Sequence, residues 1–183
     1  MAKLSVFNFL TLNGFYKGEG GDISWHNFGS DEQEMSDQLS NAGNTLLFGR
    51  VTYEMMAQYW SSKAALQNDP VTAKGMNSAK KYVFSRTLRK AEWQNTFLIQ
   101  DDLIGEVRKL KTTSDANLTL LGSGQILTQL ADAGLVDEFS FMINPLAIGQ
   151  GAPIFGGLSK KLVLKLTSTR VMKSGNVILN YTK

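Results

Sequence analysis

The run Asn117-Leu118-Thr119-Leu120-Leu121-Gly122-Ser123-Gly124-Gln125-Ile126-Leu127-Thr128-Gln129-Leu130 constrains this chain more than any other. Leu118 to Leu121 read as a strand buried on both faces. A turn of small residues follows at once, and Ile126, Leu127 and Leu130 then recur at helical spacing. Strand, tight turn and helix in immediate succession belong to an α/β architecture. Such a junction aims unpaired backbone N–H groups and the positive end of a helix at one point, where glycines let an anion come close. A phosphate or pyrophosphate fits there, and so does a plain strand-to-helix turn. Neither the full GxGxxG nor the GxxxxGK[ST] pattern is present, so the turn alone identifies no nucleotide-binding family.

Length and composition narrow the class. The 183 residues suffice for one domain, 1–183, with a proper core. No apolar run reaches membrane-spanning length, and Met1-Ala2-Lys3 leads straight into a strand-like segment rather than a signal peptide. With no cysteine, disulfides and thiolate metal sites are excluded, and a cytoplasmic location is the expectation. The formal charge of +3 comes from scattered Lys and Arg, which speaks against nucleic-acid binding and suits a small anion. The single histidine, His26, leaves no His-rich metal cluster. A Ser-His-Asp hydrolase would have to use that residue, and no GxSxG turn accompanies it.

Taken in order, residues 3–11 predict a first strand ended by Asn13-Gly14, and residues 15–30 a long loop around Trp25 and His26. His26, alone in a polar loop, is read as exposed and given no role. Ser30 is expected to cap a helix over 31–42. A strand over 44–48 meets a second strand–glycine–helix junction at Gly49-Arg50-Val51-Thr52, whose helix runs to about Tyr59. Residues 61–78 carry no clear period and read as a connector, partly helical. Strands follow at 81–84 and 96–99, then a helix over 101–111 capped by Asp101 or Asp102. Beyond Gly134 the pattern changes: 138–146, 162–172 and 177–181 are strand-like with no helix between them, and Lys173-Ser174-Gly175-Asn176 is a hairpin turn. The prediction is a mostly parallel sheet with helices on both faces and an antiparallel C-terminal end.

Several pieces recur together in a known order. They are Leu12-Asn13-Gly14, Trp25, Leu47-Phe48-Gly49-Arg50-Val51-Thr52-Tyr53-Glu54, Lys81-Tyr82-Val83-Phe84-Ser85-Arg86-Thr87-Leu88, Gly122-Ser123-Gly124, Leu135-Val136-Asp137-Glu138, Asn144-Pro145 and Gly149-Gln150-Gly151-Ala152-Pro153-Ile154-Phe155. In this order they resemble the dihydrofolate reductase-like family, whose members include the C-terminal reductase domain of bacterial riboflavin-biosynthesis (RibD-type) proteins. The resemblance covers nearly the whole chain. It implies an α/β/α sandwich, NADPH as cofactor, hydride transfer to a flat heterocycle such as a pterin, dihydrofolate or an aminopyrimidine, and a homodimer. With no deaminase segment ahead of it, a stand-alone member is expected.

The resemblance also implies residue roles. Gly49, Arg50 and Thr52 would make the first phosphate contact, and a guanidinium beside helix N–H groups suits that chemistry. Ser85 and Arg86, just past a strand end, would meet the adenosine 2′-phosphate, with Arg89 and Lys90 near enough in sequence to share the work. Gly122, Ser123, Gly124, Gln125, Ile126 and Leu127 would hold the pyrophosphate. Asn13 would lie near the nicotinamide ribose, where the riboflavin branch has an aspartate. Asp31 or Glu32 would supply a carboxylate for proton transfer, a helix N-terminus being equally a structural position for acidic residues. Trp25 and Phe155 would wall a flat substrate pocket. The rival expectation is an NADP(H)-binding protein of the same fold without catalysis.

Overall fold

In a computed structural model, which describes residues 1–183, the chain forms β1 (Leu4–Thr11), β2 (Phe15–Gly18), α1 (Ser30–Asn41), β3 (Thr45–Gly49), α2 (Arg50–Trp60), α3 (Lys63–Asn68), α4 (Pro70–Ser78), β4 (Lys81–Phe84) and β5 (Thr96–Ile99). It continues through α5 (Leu103–Thr113), β6 (Leu118–Leu121), α6 (Gly124–Asp132), β7 (Glu138–Asn144), β8 (Gly151–Pro153), β9 (Lys165–Val171) and β10 (Val177–Thr182). Eight strands make one sheet in the order β5-β4-β3-β6-β1-β7-β10-β9. All neighbours are parallel from β5 to β7, and β10 pairs antiparallel with both β7 and β9. This is the mixed, mostly parallel sheet of a dihydrofolate reductase-like α/β/α sandwich.

Alternation within the strands divides the core between two faces. Leu47 of β3 packs with Leu4, Val6, Leu118 and Leu120 under α5 and α6, through Val107, Leu110, Leu127 and Leu130. Leu46 and Phe48 face the other way, onto Tyr53 of α2 and Met76 of α4. Both faces being covered, β3 and β4 are buried throughout.

Topology then creates the site. The chain runs outward through β3, β4 and β5 and returns to lay β6 between β3 and β1. The carboxyl ends of these parallel strands share one edge, where open α/β sheets bind ligands. That edge brings Gly49, Ser85 and Gly122 together.

The structure corrects several expectations. The stretch read as a loop over 15–30 begins with β2, which pairs with β8 in a separate two-stranded ribbon. The connector over 61–78 is two helices: Ser62 Oγ accepts from Ala65 N to cap α3, and Pro70 opens α4. The cap of α1 is Gly29, not Ser30, and its N–H donates to the Glu32 carboxylate at 2.9 Å. At α5 the structure agrees with the expectation and decides between its two candidates: the cap is Asp102, which accepts from Gly105 N at 2.9 Å.

Candidate functional site

A cleft opens at the carboxyl edge of the sheet, around Gly49, Ser85 and Gly122, and continues across the sheet to the amino ends of β1, β3 and β6 at Ser5, Asn44 and Thr119.

Its outer part is built by the two strand–glycine–helix junctions. Helices α2 and α6 start at Gly49 and Ser123, and neither start carries a side-chain cap. Their first N–H groups therefore lack protein acceptors from a capping side chain, and both starts line the cleft. The junctions abut closely. A Cβ on Gly49 would lie 2.2 Å from Ser123 Oγ, and one on Gly122 would lie 2.9 Å from Thr52 Oγ1. Gly122 (φ +64°) and Ser123 (φ 58°) both adopt the left-handed conformation, which turns the chain sharply out of β6. Two positive helix ends thus meet at one part of the cleft.

Cations line this part of the cleft. Arg50 lines the cleft and pairs with Glu54 at 2.9 Å, with both side chains nearly half exposed. Such a pair is worth under ~1 kcal/mol, so a phosphate competes for the guanidinium easily. Ser85 Oγ accepts from Thr87 N and Leu88 N and so shapes the turn after β4. Beside it Arg86 is exposed, lines the cleft and makes no ion pair. Of the neighbouring cations considered with it, Lys90 is paired to Glu92 at 2.9 Å, and neither Lys90 nor Arg89 lines the cleft. Arg86 is the free charge at this end.

The inner part is an aromatic wall. Phe7 and Phe9 project from alternate positions of β1 and meet edge to face at 5.2 Å. His26 lies on Phe9 with ring centres 4.4 Å apart and 26° between planes, and Phe28 leans on Phe9 at 5.7 Å. All four line the cleft, together with Met35 of α1. His26 is therefore not the exposed loop residue expected from sequence. Burial pushes its imidazole down to about 4, against a smaller opposing pull from Asp22, so the ring is neutral at physiological pH. Tyr16 also reaches the cleft, and burial pushes its phenol up.

Other expected site residues have different work. Glu32 is completely buried and faces away from the cleft, accepting from Gly29 N, from Asn176 Nδ2 at 2.9 Å and from Ser174 Oγ. Burial raises its carboxyl, but these hydrogen bonds outweigh it and hold the group below the usual range. Asp31 accepts from Lys173 N at 3.1 Å and pairs with the Lys173 ammonium at 3.3 Å. Both carboxylates thus bind the β9–β10 hairpin rather than the wall. Asn13 is exposed and joins the end of β1 to Ile148, donating to its carbonyl at 2.8 Å. Trp25 braces His26 from behind, edge to face at 4.5 Å. Phe155 belongs to the core with Phe139 and Phe141 on the opposite face of the sheet. Leu127 is core too, and Gly124 faces the Tyr16 ring, which a Cβ there would meet at 2.5 Å. Gly49, Arg50, Thr52, Ser85, Arg86, Gly122, Ser123, Gln125 and Ile126 do gather around the cleft. The wall of Phe7, Phe9, His26 and Phe28 was missed. Its only sequence signal was an aromatic at alternate positions of a first strand. No group of three or more His, Asp or Glu side chains is placed to hold a metal ion.

The comparisons with known proteins agree with this architecture. The model of the RibD C-terminal domain matches residues 2–179. The chain belongs to that family. Over 172 residues it is 34% identical to YyaP of Bacillus subtilis, an uncharacterised protein, covering 94% of this chain and 90% of that one. Its fold is similar to that of a Shewanella sp. PV-4 protein assigned by name to riboflavin biosynthesis, with a TM-score of 0.75 at 19% identity, over 100% of this chain and 98% of the other. It also resembles the Thermotoga maritima diaminohydroxyphosphoribosylaminopyrimidine deaminase/5-amino-6-(5-phosphoribosylamino)uracil reductase, with a TM-score of 0.70 at 13% identity. That match covers 99% of this chain and 56% of the larger protein. For the RibD C-terminal family, a reductase domain is the expected type, with a nicotinamide cofactor.

Proposed function

We propose that this protein is an NADPH-dependent reductase of a small flat heterocycle, with a pyrimidine of the aminouracil type favoured over a pterin. The observation that carries the reading is the meeting of two uncapped helix starts and the unpaired Arg86 on one cleft. The residues fit NADPH. Amides at the starts of α2 and α6 would receive the pyrophosphate oxygens, and Arg50 would leave Glu54 to join them. Arg86 would bind the 2′-phosphate with Ser85 beside it. Bound there, NADPH would supply the hydride.

The protein's own part is to place the acceptor ring flat against Phe7, Phe9 and Phe28 and to keep water from that wall. Preference for a pyrimidine follows from charge. A pterin held in its protonated form needs a carboxylate, and the two carboxylates in the first turn of α1, Asp31 and Glu32, are bound to the β9–β10 hairpin. A neutral uracil-type ring needs none. Following loss of NADPH absorbance with 5-amino-6-ribosylaminouracil and with dihydrofolate tests this. Turnover of the uracil at a kcat/KM at least tenfold above that of dihydrofolate is expected, and the reverse order would refute the preference.

The same lack of a carboxylate at the wall supports a second reading, an NADP(H)-binding protein without catalysis. NADPH binding with no oxidation by pyrimidines, pterins or quinones would decide for it. As for assembly, we propose a homodimer through β9. This edge strand is exposed along its whole length, with Leu166 and Val171 outward, and an uncovered edge of this kind is suited to pairing with a second copy. Light scattering on the eluting protein should give twice the 20.2 kDa chain mass.

A further inference from the structure

Three side-chain polar atoms are buried without any hydrogen-bond partner: Asn8 Nδ2, His26 Nε2 and Asn176 Oδ1. Asn176 belongs to the hairpin anchor, and its Nδ2 is already bound to Glu32 and to the Asn27 carbonyl. Asn8 and His26 both line the cleft, but alternation along β1 sends Asn8 to the opposite face of the strand from Phe9. His26 alone stands at the aromatic wall.

The protein holds this imidazole firmly. Its backbone N–H donates to the Ile23 carbonyl at 3.0 Å, and the Trp25 indole N–H donates to the Asp22 carbonyl at 3.1 Å. Asp22 Oδ1 accepts from Ser24 N at 2.9 Å, closing the same tight turn. On the other side Asn27 is bound to the buried Asn144 and to the Ser174 carbonyl, which ties the loop to the sheet. Phe9 lies under the ring and Trp25 stands at its edge. A ring fixed in this way leaves one nitrogen desolvated and unpaired, a cost that a hydrogen bond from a ligand would offset. A neutral imidazole offers a hydrogen bond there without imposing a charge.

We propose that His26 Nε2 contacts the substrate, hydrogen-bonding the polar N–H/C=O edge of a heterocycle laid against Phe9 and Phe28, and that it thereby sets specificity for that edge. This rests on the reductase reading of the cleft. It assigns chemistry to a loop residue for which the family resemblance gave none.

The chain has one histidine, so the imidazole signals in an NMR spectrum belong to His26 without further assignment. The protein is first titrated with NADPH alone by calorimetry, then, loaded with NADPH, titrated with 5,6-diaminouracil while the imidazole nitrogens are observed. The expected result is a shift of the Nε2 resonance that saturates with the uracil. In parallel, His26→Phe, which keeps an aromatic ring on Phe9, should bind the uracil about tenfold more weakly with an unchanged Kd for NADPH. A merely structural role would disturb both ligands or neither. Uracil binding with unmoved imidazole signals overturns the inference, as does equal affinity in His26→Phe or no uracil binding to the NADPH-loaded protein. Failure of NADPH itself to bind overturns the reductase reading and this inference with it, and the first titration tells the two failures apart.

Discussion

Gly122 and Thr52, seventy residues apart in the chain, touch where the two strand-to-helix turns meet: a Cβ at Gly122 would stand 2.9 Å from the Thr52 hydroxyl and 3.0 Å from its methyl. Gly122 also has φ +64°, which a β-branched residue resists. Gly122→Val should therefore displace the α2 start and abolish NADPH binding. An unchanged dissociation constant would remove the pyrophosphate from this turn.

Arg86 is the unpaired cation at the end of β4. Loss of its charge-assisted contact should cost about 1–3 kcal/mol of NADPH affinity, about 5- to 150-fold, and leave NADH almost untouched. Calorimetry of Arg86→Ala with both cofactors checks this, and equal weakening of the two would take Arg86 out of the 2′-phosphate site.

Glu32 should prove structural. Removing its carboxylate strands Ser174, Asn176 and Gly29 N, so Glu32→Ala is expected to destabilise the fold by about 2–4 kcal/mol in denaturant unfolding. Because the folded-state carboxyl is held low, its contribution to stability is present above the unfolded-state value and is lost as pH falls through the folded one. Wild type should thus lose more stability on acidification than Glu32→Gln. A variant as stable as wild type, with turnover abolished, would return Glu32 to the chemistry.

His26 titrates in the opposite sense to a salt-bridged histidine. With a folded value of about 4 against 6.5 when unfolded, the unfolded chain binds more protons between these pH values. Stability should rise with pH across that window and fall as the solution is acidified from 6.5 towards 4. The imidazole midpoint measured by NMR should lie near 4, and a midpoint near 6.5 would mean that the ring is exposed.

Lys81 is fully buried, and its ammonium donates to the carbonyls of Asn77 at 3.1 Å, Ala79 at 2.6 Å and Gln94 at 3.1 Å above the Trp93 ring. Burial pushes it down to about 8. Lys81→Met leaves three carbonyls unpaired and should lower stability by about 2–4 kcal/mol without altering NADPH affinity. A neutral outcome in thermal unfolding would contradict this account of the β4 entry.

What could be read from sequence was what local chemistry determines. The turns at Gly49 and Gly122 announce themselves because each needs small residues between a strand and a helix, and the end of the cleft where they meet followed from them. The other half depends on distant contacts. Glu32 finds Ser174 across 142 positions, so nothing near it in sequence says that its carboxylate is engaged. β8 is Gly-Ala-Pro, with no strand propensity of its own, and forms only because β2 is brought opposite it. His26 looked exposed because its burial comes from Phe9, seventeen residues earlier on another element. The helices over 61–78 did carry signals, Ser62 as a cap and Pro70 at a first turn, which a search for apolar periodicity passed over.

The central claim is that the two uncapped helix starts and Arg86 form an NADPH site, and calorimetric titration of the purified protein with NADPH and, separately, NADH tests it most directly. The account predicts saturable binding of NADPH at one site per chain, at least tenfold tighter than NADH. Binding of neither cofactor, or equal binding of both, would contradict it.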